Sequence, residues 1–472
     1  MRTEHRSEGG TLAVTDRLRR VALASAILAS FLTPFMSSAI NIALPAIGEQ
    51  LSLGAVLLGW VATSYLLAAA MFLMPFGRLA DLIGRKRLLA TGLALYAVSS
   101  VLCALAPSAA LLIAFRVAQG IGSALMFSTA VAILTSVYPP GRRGLALGLT
   151  AASTYIGLSL GPVLGGVLTQ ELGWRSIFWF NVPPAAAGLV LVLWRLKGEW
   201  AEAKGERFDV PGSVVLGVSL PALIYGLSRL PEPAGIWLLA GGAVGVGAFL
   251  FLESRTRYPI FPVALLLRNR TFAFSNLAAL INYSATFAVG FLLSLYLQYL
   301  KGFSPEQAGL ILVSQPVIMA ALSPVAGRLS DRVGARVLAS AGMALATLGL
   351  ALFALLRPGT GLALILGGLG VLGLGFALFS SPNTNAVMGS VHRKLYGIAS
   401  ATLGTMRLMG QMLSMAIAIL IFTLLIGQTE ITPAVYGPLE RSLRLAFVIF
   451  AALCFVGVFA SLARGGSNLA EA

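Results

Sequence analysis

Fourteen apolar runs, Lys and Arg gathered on alternate connections, and an eight-residue motif repeated 250 residues apart predict an all-α membrane protein. Its plan is two six-helix bundles with two further helices inserted between them. Hydrophobic residues make up 58% of the 472 residues and charged ones only 11%, more apolar surface than a soluble interior can hide. The 52 glycines suit helices that approach closely within lipid.

A spanning helix needs about 20 predominantly apolar residues. The runs 21–47, 53–76, 88–106, 107–137, 146–170, 177–194 and 210–230 meet that length closely enough, as do 236–252, 271–300, 305–325, 337–356, 361–391, 397–426 and 443–462. The first is too long for the apolar core of a secretory signal, so it reads as a retained helix. With the N-terminus in the cytoplasm, 25 of the 33 Lys and Arg fall inside and six outside, while Arg116 and Arg407 remain within helices. That bias fixes the topology. It also accounts for the net charge of +16 without a nucleic-acid partner.

The motif Gly77-Arg78-Leu79-Ala80-Asp81-Leu82-Ile83-Gly84 returns as Gly327-Arg328-Leu329-Ser330-Asp331-Arg332-Val333-Gly334. Each copy follows the second helix of a six-helix unit, so the two halves are like-oriented repeats. The expected organisation is a cytoplasmic tail at 1–20, a first bundle at 21–196, a linker and two inserted helices at 197–254, a second bundle at 255–464 and a cytoplasmic tail at 465–472.

Catalytic chemistry is poorly supplied. His5 and His392 are the only histidines and Cys103 and Cys454 the only cysteines, so no Ser/His/Asp, Cys/His or metal-ligand set can be assembled. The sequence points away from an enzyme and implies no cofactor. A membrane scaffold or sensor would be expected to carry a sizeable extramembrane module, and the longest polar segments are too short for one.

Gly77, Asp81, Gly84, Arg85 and Lys86, with the second copy at Gly327, Asp331 and Gly334, resemble the signature loop of the major facilitator superfamily. Arg116 with Gln119 in helix four resembles that family's buried-arginine motif. Gly157, Gly161, Pro162 and Gly165 in helix five resemble the antiporter signature of its fourteen-helix drug:proton antiporters. The likeness runs from about residue 21 to 462 and implies that the Asp81 loop latches the cytoplasmic side while the helix-five face works between the halves. An arginine at mid-helix is unfavourable by about 2.5–3.5 kcal/mol on insertion scales, so Arg116 should face protein or a wet cavity. It reads either as a substrate or coupling residue or as a structural one satisfied by carbonyls and Gln119.

The resemblance implies proton antiport. The sequence departs from it where relatives place an acid in helix one, since that position is Met36, and none of the 17 carboxylates lies clearly at mid-membrane. A cavity with Arg116 and Arg407 and no acid should repel lipophilic cations and accept neutral or anionic molecules. Its expected lining is Met36, Asn41, Trp60, Tyr65, Tyr155, Asn276, Asn282, Tyr283, Gln315 and Gln411, with Gln119 beside Arg116. The expected activity is export of small hydrophobic or amphiphilic compounds by alternating access, from the cell membrane, as a monomer in contact with lipid and with protons as the coupling ion that the resemblance implies. The alternative is an uncoupled facilitator or exchanger of organic anions, or a flippase of an anionic lipid.

Overall fold

The computed structural model describes residues 16–139, 143–392 and 395–464. Fourteen helices are long and apolar enough to cross a membrane. They are α1 Asp16–Leu51, α2 Ala55–Ile83, α3 Arg85–Leu105, α4 Ala109–Val137, α5 Arg143–Leu172, α6 Arg175–Arg195, α7 Val210–Ser228, α8 Pro233–Arg255, α9 Arg270–Leu300, α10 Pro305–Ser330, α11 Ala335–Phe353, α12 Leu362–Gly389, α13 Tyr396–Leu425 and α14 Tyr436–Leu462. No β-strand is present among the described residues, beyond one isolated bridge between Gly54 and Glu430.

Each apolar run became a helix because a backbone polar group in lipid has no water to bond, and a helix satisfies nearly all of its own. Most helices run past the apolar stretch that announced them. The first gains polar turns at both ends, where helical hydrogen bonding continues beyond the greasy core. Two spans are broken. In α9 the helix is interrupted at Phe287 and Ala288 and ends in a π-helical turn, Tyr296–Leu300. In α10 the break falls at Val313, beside Gln315 and Pro316. A short helix, Val263–Arg268, precedes α9 and was not expected.

The repeated motif repeats as geometry. Gly84 ends α2 at φ +122° and starts α3, and Gly334 ends the α10 span at φ +93° and starts α11. Each donates its N–H at 3.0 Å to the residue four back, Ala80 or Ser330. A residue with a Cβ is strained in this left-handed region, which explains why the turn uses glycine twice. Lining up these turns gives the molecule a motif-loop end and an opposite, far end.

The linker before α7 is more than a connection. Arg85, buried, bonds Asp81 at 2.8 Å, Glu202 at 2.8 Å, the Ala132 carbonyl at 3.2 Å and the Ser136 hydroxyl. The Lys86 and Arg85 N–H groups donate to Glu199 Oε1 and the Trp200 carbonyl at 2.8 and 2.9 Å, and Ala203 N–H to the Asp81 carbonyl at 2.9 Å. Arg78 pairs with Glu206. Linker residues 199–206 therefore lie across the first motif loop as an acidic strap. Around Gly334 no atom of the described residues lies within 4 Å of a Cβ built there. The Asp331 side chain lies outside the described residues.

The inserted pair α7 and α8 forms a hairpin that packs on α2 of the first half and α13 of the second.

Candidate functional site

Where the halves meet, the far end is fastened at backbone level. A Cβ built on Gly166 of α5 would lie 2.6 Å from the Pro305 carbonyl oxygen, and one on Gly309 of α10 would overlap the Pro162 carbonyl. Ser294 of α9 donates to the Asn41 carbonyl at 2.7 Å, and Gln298 to that of Ile42 at 3.0 Å. Gly59 of α2 takes Ile419 of α13 at 2.5 Å from its would-be Cβ. Toward the motif-loop end the approach is looser, with Gly404 at ordinary contact distance, 3.6 and 3.8 Å, from Phe127 and Leu73.

The helix-five face is corrected by these contacts. Gly157 would press a Cβ to 2.6 Å from the Phe31 carbonyl, Gly161 onto Ser38, and Gly165 to 2.9 Å from Ala39, all on α1 of the same half. Residues four apart share one helix face, so these three serve packing within the first bundle. The crossing to the second half is made by the adjacent face, at Pro162 and Gly166.

Behind the far-end contacts lies a closed crevice, too tight in this state to admit a water molecule, whose lining includes Ser37, Asn41, Ala62, Tyr65, Arg116 and Phe287. Phe287 sits at the break in α9, where Ser414 Oγ accepts the Ala288 N–H at 3.0 Å and so satisfies the backbone that the break leaves free. Irregular backbone at membrane depth survives where protein covers it or a cavity borders it. Neither Ser37, Phe287 nor Ser414 was signalled by the sequence, because a helix break without its own proline or glycine leaves no compositional mark.

Arg116 is fully buried. Its Nε donates to the Val61 carbonyl at 3.1 Å and its Nη1 to Gln119 Oε1 at 2.6 Å, while Gln119 donates to Ser100 Oγ at 2.8 Å. The guanidinium lies 4.4 Å from the Tyr65 ring centre, and Tyr65 donates to Ser123 at 2.8 Å. These are the carbonyl and glutamine partners of a structural arginine. Yet Nη2 has no hydrogen-bond partner and the residue borders the crevice. The protein thus holds Nε and Nη1 and leaves Nη2 buried without a partner among the described residues.

Arg407 occupies a second place. Its Nη2 donates to Thr384 at 2.9 Å, its buried Nε has no partner, and it lies 5.7 Å from the Tyr283 ring centre. Tyr283 packs edge-on against Phe376 at 5.2 Å between ring centres, and Tyr155 is half-buried. Arg116 sits in the far-end third of α4 and Arg407 nearer the middle of α13, so the two arginines mark different depths of the interface.

The other candidates scatter. Asn282 is fully buried with neither amide atom bonded, and Asn276 donates to the Phe272 carbonyl at 2.9 Å but leaves Oδ1 unpaired. Gln315 and Gln411 are half-buried. Met36 faces the other way, into the first bundle, accepting from Asn181 at 3.3 Å. Trp60 also leaves the set, since it meets Tyr225 of the inserted hairpin at 5.8 Å between ring centres.

The family model described as Major Facilitator Superfamily matches residues 26–275 and 275–467. The chain belongs to the major facilitator superfamily. It is 32% identical over 443 residues to "Multidrug resistance protein Stp" of Mycobacterium tuberculosis, covering 92% of this chain and 82% of that one. It is 30% identical over 438 residues to "Riboflavin transporter RibZ" of Clostridioides difficile (91% and 93%) and 35% over 410 to "Cephamycin export protein CmcT" of Amycolatopsis lactamdurans (84% and 83%). A bacterial homolog of the human lysosomal transporter Spinster shares the fold, at TM-score 0.66 and 18% identity over 97% of this chain and 100% of that one. The protein is a multi-pass transporter of this superfamily and not an enzyme.

Proposed function

We propose that the protein is a secondary transporter that exports hydrophobic or amphiphilic organic compounds by alternating access. The motif-loop end faces the cytoplasm and the far end the exterior, with the crevice between the halves as the carrying site. The observation that carries this reading is a backbone-tight seal at the far end over a crevice that borders a half-satisfied, buried arginine. In a two-bundle transporter such a seal is one end-state of a rocking motion about a central site. The names of Stp and CmcT support export of organic compounds.

Arg116 and Arg407 make the interface electropositive, and no carboxylate borders the crevice. Neutral and anionic compounds are therefore preferred over lipophilic cations. The same arginines favour the second reading, exchange of organic anions without a coupling ion. A ligand-stabilisation screen on purified protein, with cationic, neutral and anionic compounds, tests the charge preference. Flux into proteoliposomes with and without a pH gradient separates antiport from exchange. Stabilisation by cations alone would refute the reading of the crevice.

A further inference from the structure

Glu253 is the one carboxylate among the described residues that is buried, at 2% exposure, and it lies outside the central crevice near the end of α8. Its Oε2 accepts the Phe261 N–H at 2.8 Å. Across from it Asp209 caps α7, with Oδ1 accepting the Gly212 N–H at 3.1 Å. The remaining oxygens, Glu253 Oε1 and Asp209 Oδ2, are inaccessible to solvent and have no donor among the described residues. Both crowd the same point: a Cβ on Gly212 would lie 2.6 Å from Glu253 Oε1 and would overlap Asp209 Oδ2. The two side chains therefore face one another over Gly212.

Two carboxylate oxygens facing each other without a donor cannot both belong to ions, since burial and like charge each penalise the second charge. One bridging proton removes the repulsion and makes a hydrogen bond, and the pair then titrates as a unit. No cation bonds either free oxygen among the described residues, although Arg207 lies two residues before Asp209 and borders a surface pocket with Arg257 and Tyr258. The other nearby cations are held by other groups. Arg78 of α2 pairs with Glu206, Arg255 lies over Phe251, Arg257 lies over Tyr258, Arg270 donates to the Ala463 carbonyl, and Arg407 of α13 donates to Thr384. A metal ion would meet the Gly212 and Phe261 N–H dipoles, which oppose a cation, and no third acid, histidine or cysteine joins the pair among the described residues.

The place gives the proton a consequence. Asp209 caps α7 three residues beyond the strap from the first half, and Phe261 lies on the connection to the second, so the pair pins both connections of a hairpin that touches α2 and α13. We propose that Asp209 and Glu253 form a proton-binding carboxyl pair that fastens the inserted hairpin and makes the relative setting of the two halves depend on pH. On release the shared proton passes to water at the motif-loop end, leaving two carboxylates that repel and loosen both connections. The site holds whatever compound is carried, because neither residue borders the crevice.

The test is an infrared pH titration of the purified full-length protein in lipid nanodiscs. The wild type should show a protonated-carboxyl stretch at neutral pH, equivalent to one group per chain, that disappears on alkalinisation. Glu253→Gln should lose it. So should Asp209→Asn, which keeps the α7 cap and supplies an amide donor in place of the proton. Spin labels on the two halves at the far end should report a distance change with pH in the wild type and none in Glu253→Gln. No protonated stretch at neutral pH, or one that survives both substitutions, would overturn the shared proton. A pH-dependent distance identical in Glu253→Gln would overturn its role in setting the halves.

Discussion

Replacing Gly166 by Ala adds one methyl group at the crossing of α5 and α10. Its carbon would stand 2.6 Å from the Pro305 carbonyl oxygen and 3.0 Å from Glu306 Cα, where ordinary contact begins at 3.4 Å. These neighbours are backbone, so the helices must part by most of an ångström at the seal. Overpacking of this kind costs about 1–3 kcal/mol. Alanine also favours the helix by about 1 kcal/mol over glycine, but it does so in every state of the transporter. Only the clash distinguishes the sealed state from one in which the far ends have separated. The equilibrium should therefore move toward far-end opening by ~5- to 150-fold. The assay is the labelling rate of Ser37→Cys in the crevice by a membrane-impermeant maleimide added from the far side, the native Cys103 and Cys454 being buried. Gly367→Ala, whose Cβ meets nothing within 4 Å, is the control. Equal labelling rates in the two variants, with unchanged thermal stability, would refute the seal.

Arg116→Met should leave the buried Gln119 Oε1 without its donor, at about 1–3 kcal/mol, and should lower the melting temperature. Stabilisation by anionic ligands should vanish in the same variant, and its persistence would place the ligand elsewhere. Gly84→Ala should destabilise more than Gly334→Ala. Both force a Cβ into a left-handed turn at about 1–2 kcal/mol, but only Gly84 would also drive it into the Glu199 carboxyl; equal melting temperatures would count against the docked strap. Arg85→Ala should raise tryptic cleavage at Lys197 or Lys204 several-fold by freeing the strap from its buried anchor. Glu202→Gln should change it little, because that pair is largely exposed on the glutamate side, at 62%, and such pairs contribute about 0–1 kcal/mol.

The sequence by itself determined the helix count, the like-oriented halves and the fold. Hydrophobic length decides whether a segment spans, and lipid leaves helix as the only structure for an isolated span. The Gly84 and Gly334 turns were equally legible, since the left-handed backbone they adopt selects glycine directly. Gly157, Gly161 and Gly165 were legible as a close-packed face, but not as a face turned toward α1. Spacing along one helix says which residues share a side and is silent about which neighbour that side meets. For the same reason Met36 and Trp60 joined a cavity set that the structure divides, and residues 199–206 read as a charged linker when they are a strap on Arg85. The pairing of Asp209 with Glu253 lay furthest from view. Forty-four residues separate them in the chain, and only the antiparallel return of α7 on α8 brings their unpartnered oxygens together over Gly212.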